Sequence, residues 1–327
     1  MLSPEDAGAT GAAPPRPAGT GGPVEREWLP PFTLDLHGVL SPLRRGRGDP
    51  TWRTVADGAA IWRVSTTPQG PATVAIRRRS DGTVLASGWG PGAAWEIDGL
   101  PALLGADDDP STFVPRHPLV VDARRRMPGM RLGSSRRVWD TLLPAILEQK
   151  VTGTEAHRSF RELCRRFGAS PPGPERVVPA GMRVPPTPAR IRAVPDWEWH
   201  RAGVDHTRRR AILASAVVAH RLERAAELRG EPGRQLLRRV PGVGVWTAAE
   251  VAQRVWGDPD AVSFGDFHVP NTVGHALLGH DLDDVGLLEV LAPYAGQRQR
   301  AVRYIEASGF RRPRFGPRLS PRDYRDM

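Results

Sequence analysis

Cysteine and lysine are almost missing from this sequence of 327 residues, which contains one of each, Cys164 and Lys150. A lone cysteine excludes a disulfide within the chain, and it excludes zinc or iron–sulfur sites built from four cysteines. No apolar run approaches the roughly 18 residues needed to span a bilayer. The first residues lack the basic start and apolar segment of a signal peptide. We therefore expect a soluble, cytoplasmic protein with no membrane partner.

Arginine supplies almost all of the positive charge of the chain. Lys and Arg together number 46 against 36 Asp and Glu, which gives a formal net charge of +10. This excess suits a polyanion such as nucleic acid, although the sign alone does not identify the partner. His268, His275 and His280 do not have the i,i+4 spacing that places two metal ligands on one helix face. We expect no metal site and no cofactor.

Composition and periodicity divide the chain into four segments. Residues 1–30 are rich in Ala, Pro and Gly without a period, which predicts a disordered tail. Residues 31–115 carry short β-type runs and predict an N-terminal α/β domain. Residues 116–312 are helical in pattern, and residues 313–327, rich in Arg and Pro, predict a C-terminal tail.

Alternating apolar residues predict a small antiparallel sheet in the N-terminal domain. The pair Asp81-Gly82 predicts a hairpin turn, and a short helix is expected over residues 97–104. The strands are expected at residues 32–36, 60–64, 72–76 and 83–86.

Apolar residues recur at helical spacing beyond residue 116, which predicts roughly eight helices. The Pro-rich residues 169–188 predict a loop. The expected fold class is α+β, with a small antiparallel sheet domain followed by an all-α core. The helices are expected within residues 120–126, 139–167, 197–203, 208–227, 245–256, 269–278, 285–291 and 300–308.

The most informative stretch joins two of these helices through Pro241-Gly242-Val243-Gly244. Two glycines around one apolar residue allow a tight reversal between helices and leave backbone N–H groups pointing outward. N–H groups at a helix N-terminus bind anions, and a DNA phosphate suits such a site. The pattern predicts a helix-hairpin-helix with Gly242, Val243 and Gly244 as DNA-binding residues.

The hairpin sequence LRRVPGVGVWTA, followed some twenty residues later by Gly-Asp, resembles the helix-hairpin-helix superfamily of DNA base-excision glycosylases. Within it the chain is most similar to the 3-methyladenine, or alkylbase, branch. The resemblance covers about residues 120–310 with specific motifs and residues 32–115 more loosely. It implies double-stranded DNA with a damaged base as the partner, and action as a monomer.

The resemblance places the catalytic aspartate of that superfamily on Asp266. Cleavage of an N-glycosidic bond builds positive charge on the sugar, and a nearby carboxylate stabilises that charge and orients water. Asp266 can also cap the following helix, and the two roles are compatible. Pro270 and Asn271 stand where many relatives have basic residues, which is a departure from the family pattern.

The resemblance assigns the base pocket to Trp246. Glu250, one helical turn further on, and Tyr294, in the C-terminal region, are additional pocket candidates. Relatives that also nick the strand carry a Schiff-base lysine where Trp246 stands, so the chain resembles the monofunctional glycosylases. An indole face attracts a flipped cationic base such as an N-alkylated purine. Trp246 packed between helices, and Glu250 as an exposed helix residue, remain alternatives.

The stretch ILEQKVTG at residues 146–153 is similar to a family segment whose residues fill the gap left by the flipped nucleotide. The resemblance gives this DNA-binding role to Gln149 or Lys150, and Lys150 can instead contact phosphate. The sequence therefore predicts a monofunctional glycosylase that excises alkylated purines from duplex DNA. The alternatives are a glycosylase for deaminated or oxidised bases, and a damage-binding module without turnover.

Overall fold

The computed structural model describes residues 22–55 and 58–311, and these form an antiparallel sheet followed by a helical core. The sheet has the strand order β1-β5-β4-β3-β2, and every neighbouring pair is antiparallel. The strands are β1 (Val24–Trp28), β2 (Trp52–Val55), β3 (Ala60–Thr67), β4 (Gly70–Arg78) and β5 (Val84–Trp89). The predicted α+β class is confirmed.

The described residues contain fifteen α-helices, of which the first three belong to the sheet layer. They are α1 (Leu36–Leu40), α2 (Ala93–Asp98), α3 (Leu100–Leu103), α4 (Pro118–Arg126), α5 (Val138–Leu147), α6 (Gly153–Phe167), α7 (Pro188–Arg192), α8 (Asp196–Arg201), α9 (His206–Leu222), α10 (Ala225–Leu228), α11 (Gly230–Arg238), α12 (Val245–Val255), α13 (Val269–Leu277), α14 (Asp284–Leu291) and α15 (Arg298–Ala307).

Two sequence predictions in the N-terminal region are wrong. Residues 24–28, within the predicted tail, form β1, which pairs with β5 from Val24↔Gly88 to Trp28↔Val84. Residues 32–35 form no strand, and Asp35 caps α1 by accepting a hydrogen bond from Gly38 at 2.9 Å. The apolar alternation at 32–36 serves burial of the loop and of α1 instead. Residues 1–21 and 312–327 lie outside the described residues.

The sheet packs on both faces. On one face, α2 and the apolar residues of α1 and α3 cover Ile61, Val74 and Ile76, which are all fully or nearly fully buried. On the other face, Trp62 stacks on Trp89 with ring centroids 5.3 Å apart. The Pro-rich loop 169–188 covers this second face with Val178, Met182 and Val184. The loop therefore belongs to the N-terminal core although it lies between helices in sequence.

The helical region has two cores. The larger joins α5, α6, α9 and α12 around Trp139 and Trp199, both nearly fully buried. The smaller joins α4, α13, α14 and α15. The hairpin between α11 and α12 packs on the larger core through Val240 and Val243. In the part of the chain that the structure describes, no helix is long and apolar enough to cross a membrane.

The sheet is fixed to the helical core through buried polar contacts. The Asp140 carboxylate accepts hydrogen bonds from the N–H and hydroxyl of Thr66, at 2.7 and 2.5 Å. Arg137 donates to the Thr66 carbonyl at 2.7 Å. Burial raises the pKa of Asp140 more than Arg137 and Thr66 lower it. These contacts hold strand β3 against the N-terminus of α5.

Candidate active site

The hairpin between α11 and α12 is closed by Gly242 at a positive φ of 88°. A Cβ at Gly242 would lie 2.6 Å from the Cβ of Ala211 in α9, so only glycine fits both the dihedral and the packing. Val243 is 5% exposed and donates its N–H to the Val240 carbonyl at 3.0 Å. Val243 therefore anchors the hairpin in the core, and its N–H is not free to bind a phosphate.

The N-terminus of α12 is open on the outer side of this hairpin. The N–H groups from Gly244 to Thr247 have no hydrogen-bond acceptor in the described chain. A Cβ at Gly244 would meet nothing within 4 Å, so an approaching group has room there. Unpaired N–H groups and the helix dipole favour an anion at this position. Gly242 and Gly244 are both exposed, as phosphate contacts require.

Asp266 is held in one orientation by three hydrogen bonds. Its Oδ1 accepts from the N–H groups of His268 and Val269, at 2.6 and 2.9 Å, at the start of α13. Its Oδ2 accepts from the indole Nε1 of Trp246 at 2.8 Å. Asp266 thus caps α13 and also presents a fixed, half-buried carboxylate at the site. Pro270 occupies the first turn of α13, where its missing N–H costs no helix hydrogen bond.

Replacing Trp246 with phenylalanine tests the indole contact. The variant keeps an aromatic ring but leaves Asp266 Oδ2 without its donor. We expect single-turnover base release to slow by about tenfold while the melting temperature changes little. A Trp256→Phe variant is the matched control, because that indole donates to Asp258 instead. Equal loss of base release in both variants would contradict a specific role for the Trp246 N–H.

A cavity of about 300 Å³ opens beside Asp266. Its walls come from three places: the N-terminal segment 39–43, the approach to α5, and helices α12, α13 and α15. The residues that line it are Val39, Pro42, Leu43, Arg131, Leu132, Gly133, Glu250, Gln253, Arg254, Asp258, Ser263, Asp266, His268, Val269, Gln299, Val302, Arg303 and Glu306. The cavity thus combines the predicted Asp266 and Glu250 with residues from the sheet domain.

Most charged groups on the cavity wall are paired with one another. Glu250 forms an ion pair with Arg254 at 2.7 Å and accepts a hydrogen bond from the Ser263 hydroxyl at 2.5 Å. Arg254 also donates to the Pro42 carbonyl of the N-terminal segment at 2.9 Å. Arg303 pairs with Glu306 at 3.1 Å. Asp266, by contrast, has no basic partner among the described residues.

Gln299 is the functional candidate that sequence reasoning missed. Its side chain lines the cavity and the residue is 4% exposed. Its amide makes no hydrogen bond with any residue between 22 and 311 that the structure describes. A buried amide normally has partners, so this one is free to bind a ligand. A glutamine among the buried apolar residues of α15 was the signal that could have revealed it.

Neither of the two aromatic residues assigned to the base pocket lines this cavity. Tyr294 is 3% exposed, stacks on Phe113 and binds His117 Nδ1 through its hydroxyl at 2.8 Å. Its predicted pocket role is wrong, because it belongs to the core around α15. Trp246 is not a lining residue of the cavity and points its N–H at Asp266. No Phe, Tyr or Trp of the described chain lines the cavity.

The turn between α5 and α6 lies against the hairpin. The Gln149 amide donates to the Gly242 carbonyl at 2.9 Å and to the Thr247 hydroxyl at 2.8 Å. Both of its N–H donors are used, so Gln149 braces the hairpin. Lys150 is exposed and has a positive φ of 56°. Of the two residues predicted to enter the duplex, only Lys150 has a free side chain.

Glu148 precedes this pair and forms the strongest electrostatic contact of the turn. Arg45 lies 3.1 Å and His157 lies 3.5 Å from its Oε1. Burial raises the pKa of Glu148, but Arg45, His157 and Arg254 lower it further, to about 2 from the ordinary value of 4.5.

This ion pair predicts a specific loss of stability in acid. Because the folded-state pKa of Glu148 lies below its unfolded value, its contribution of about 3 kcal/mol is complete above pH 4.5 and lost as the pH falls towards 2. The free energies of unfolding of the wild type and of Glu148→Gln, measured in urea, should differ by about 3 kcal/mol near neutral pH and become equal at about pH 2. A difference in unfolding free energy that does not change with pH would refute the assignment.

No protein-family model and no curated protein matches this sequence. Solved structures do match. MBOgg1 with a low-affinity DNA ligand has a TM-score of 0.67 and 16% identity, over 90% of this chain and 98% of its own. The 3-methyladenine DNA-glycosylase from Archaeoglobus fulgidus has a TM-score of 0.68 and 18% identity, over 87% and 98%. The Clostridium acetobutylicum 8-oxoguanine glycosylase/lyase has a TM-score of 0.66 and 11% identity, over 89% and 97%.

This chain shares its fold with these three structures. The likeness extends over nearly the full length of each matched structure, so the sheet domain belongs to the glycosylase fold as well as the helical core. The matched structures include proteins named for 3-methyladenine and for 8-oxoguanine. The shared fold by itself therefore does not identify a substrate.

Proposed function

We propose that this protein is a monofunctional DNA glycosylase that flips an alkylated purine out of duplex DNA and hydrolyses its N-glycosidic bond. The observation that carries the proposal is the Asp266 carboxylate, fixed by three donors and open to a cavity beside the helix-hairpin-helix. The open N–H groups of α12 support a DNA phosphate contact on the same side of the molecule.

Asp266 supplies the chemistry in this proposal. As the glycosidic bond breaks, the sugar approaches an oxocarbenium ion, and a carboxylate without a basic partner stabilises that charge. The same carboxylate orients water for attack on the sugar carbon. Its three hydrogen bonds keep it from turning away, so little reorganisation is needed in the transition state. The departing base takes the bonding electrons.

Trp246 supports hydrolysis without strand cleavage. A glycosylase that also nicks the strand needs an amine to form a Schiff base with the sugar. An indole stands at the position where the resemblance expects that amine, and its N–H is directed at Asp266. We therefore expect an intact abasic site as the product.

The charge of the cavity supports an alkylated purine as the substrate. Of its four carboxylates, Glu250 and Glu306 pair with Arg254 and Arg303, and Asp258 pairs with Arg234, so among the described lining residues Asp266 is the carboxylate without a basic partner. An N-alkylated purine is cationic, so the unpaired carboxylate of Asp266 favours it over an undamaged base. A cationic base also leaves readily, which agrees with a site whose main catalytic group is one carboxylate.

A second candidate is a glycosylase for neutral deaminated or oxidised bases. The observation that favours it is Gln299, whose free amide offers one donor and one acceptor side by side. Such a pair matches the edge of a base that presents adjacent N–H and C=O groups. The absence of an aromatic wall among the described lining residues weakens stacking as the means of recognising a cation.

The test is single-turnover base release from duplex oligonucleotides that each hold one 3-methyladenine, 7-methylguanine, hypoxanthine, uracil or 8-oxoguanine. Each reaction is analysed with and without alkali, because an abasic site breaks only in alkali. Alkali-dependent breaks on the methylated substrates support the proposal, and release of hypoxanthine, uracil or 8-oxoguanine alone supports the second candidate. Breaks without alkali would refute monofunctional action. Tight binding with no release would leave a damage-binding module.

A further inference from the structure

Lys150 has an unusual backbone for a residue with a side chain. Its φ of 56° lies in the left-handed region, which costs a non-glycine residue of order 1 kcal/mol or more. Only two other non-glycine residues of the described chain, Arg136 and Arg229, have a positive φ. Strain of this kind persists only where neighbouring contacts hold it in place.

Two contacts hold the backbone directly before Lys150. Gln149 is bound to the hairpin through the Gly242 carbonyl and the Thr247 hydroxyl. Glu148, one residue earlier, is bound on its other side by Arg45, whose NH1 lies 3.1 and 3.4 Å from the two carboxylate oxygens. Lys150 therefore follows two residues that are fixed in different directions, one to the hairpin and one to the sheet domain.

Arg45 is buried, and its backbone is held in place by a hydrogen bond. The residue is 5% exposed, and its backbone N–H donates to Asp49 at 2.6 Å. Asp49 is 1% exposed and also accepts from the N–H and hydroxyl of Thr51. Arg45 lies two residues after the segment 39–43 that forms one wall of the cavity. A buried guanidinium is costly unless it is well paired, so this placement needs the Glu148 partner.

We propose that Arg45 is a positioning residue that sets the Lys150 turn for insertion into duplex DNA. Through Glu148, the sheet domain holds the turn from one side while Gln149 ties it to the hairpin from the other. The turn is thus shaped before DNA binds, and the cost of ordering it is not added to the cost of unpairing a base. The proposal rests on the proposed function in so far as it assumes that a nucleotide is flipped.

The first test needs no base release. A duplex carries 2-aminopurine opposite a tetrahydrofuran abasic analogue, so that a residue entering the helix unstacks the fluorescent base. We expect wild-type protein at saturation to raise the fluorescence, and Arg45→Met to lose most of this rise while still binding the duplex. A wild-type rise that Arg45→Met retains in full would overturn the proposal, as would no rise with wild-type protein.

The matched control is Arg137→Met. Arg137 is likewise buried and likewise joins the helical core to the sheet domain, through Thr66, but it does not contact the turn. The Arg137→Met substitution should lower the melting temperature and leave the fluorescence rise unchanged. If Arg137→Met loses the rise as fully as Arg45→Met, the effect is a general loosening between the domains and the proposal is wrong.

Two further variants keep the test decisive if Arg45→Met does not fold. Arg45→Lys keeps the charge, but its Nζ is one bond closer to the backbone than the NH1 that contacts Glu148, so an intermediate rise is expected. Lys150→Gly removes the side chain and accepts a positive φ without strain. It should abolish the rise while raising stability, and Arg45→Lys added to it should have no further effect on fluorescence. A further effect would show that Arg45 acts elsewhere.

A kinetic readout separates this proposal from the proposed function. The best substrate of the wild type is prepared with its base paired and in an unpaired bulge. Arg45→Met should slow release of the paired base by about tenfold and that of the bulged base by less than about threefold, since positioning matters when a base must be unpaired. If Arg45→Met slowed release of the paired base and of the bulged base equally, the proposal for Arg45 would be wrong. If wild type releases no base, the proposed function fails while the fluorescence test still decides about Arg45.

Discussion

Asp266→Asn is expected to lower single-turnover base release by about a thousandfold and to leave duplex binding within a few-fold of wild type. The asparagine Oδ1 can still accept from the N–H groups that begin α13. The side chain loses its negative charge, and an amide NH₂ would face the Trp246 indole N–H in place of an acceptor. Both the charge that stabilises the sugar and the hydrogen bond from the Trp246 indole are therefore lost.

The control for this variant is Asp283→Asn. Asp283 also begins a helix, accepting from Gly286 at 2.8 Å at the start of α14, and it does not line the cavity. Asparagine is itself a good cap, so both variants should keep nearly the stability of wild type. Retention of base release in Asp266→Asn would remove Asp266 from the chemistry. Loss of release in both variants would assign the effect to helix capping.

Arg300→Met is expected to lower the free energy of unfolding by about 3–5 kcal/mol, the largest stability effect of any single substitution proposed for this chain. Arg300 is fully buried and pairs with both oxygens of Asp108. Asp108 also accepts from the Leu132 N–H at 3.0 Å. Removing the guanidinium leaves a buried carboxylate without a counter-charge, and it detaches α15 from the acidic turn before the helical core.

Urea unfolding measures this loss, and Arg125→Met is its control. Arg125 pairs with Asp122 on the surface, with a side chain that is 77% exposed, so its removal should cost less than about 1 kcal/mol. A loss from Arg300→Met as small as that of the control would show that the buried pair contributes little. Because α15 carries Gln299 on the cavity wall, the variant should also weaken base release at temperatures where it is still folded.

Several parts of this protein follow from local sequence patterns. Helical spacing of apolar residues predicted α12 and its neighbours, and a pair of glycines around Val243 predicted the hairpin. Asp81-Gly82 predicted the turn between β4 and β5. The family resemblance pointed to Asp266, and the capping contacts of Asp266 with His268 and Val269 are local as well. These features need only residues that are close in the chain.

Features that join distant residues were decided by the tertiary structure. Three such features depend on how the helices and the sheet pack. They are the hydrogen bond between Trp246 and Asp266, the ion pair between Arg45 and Glu148, and the free amide of Gln299. Tyr294 shows the converse, because an aromatic residue near the site in sequence became part of a core. A sequence pattern states which residues are apolar or polar at each turn, but long-range packing decides which polar groups are left facing a cavity.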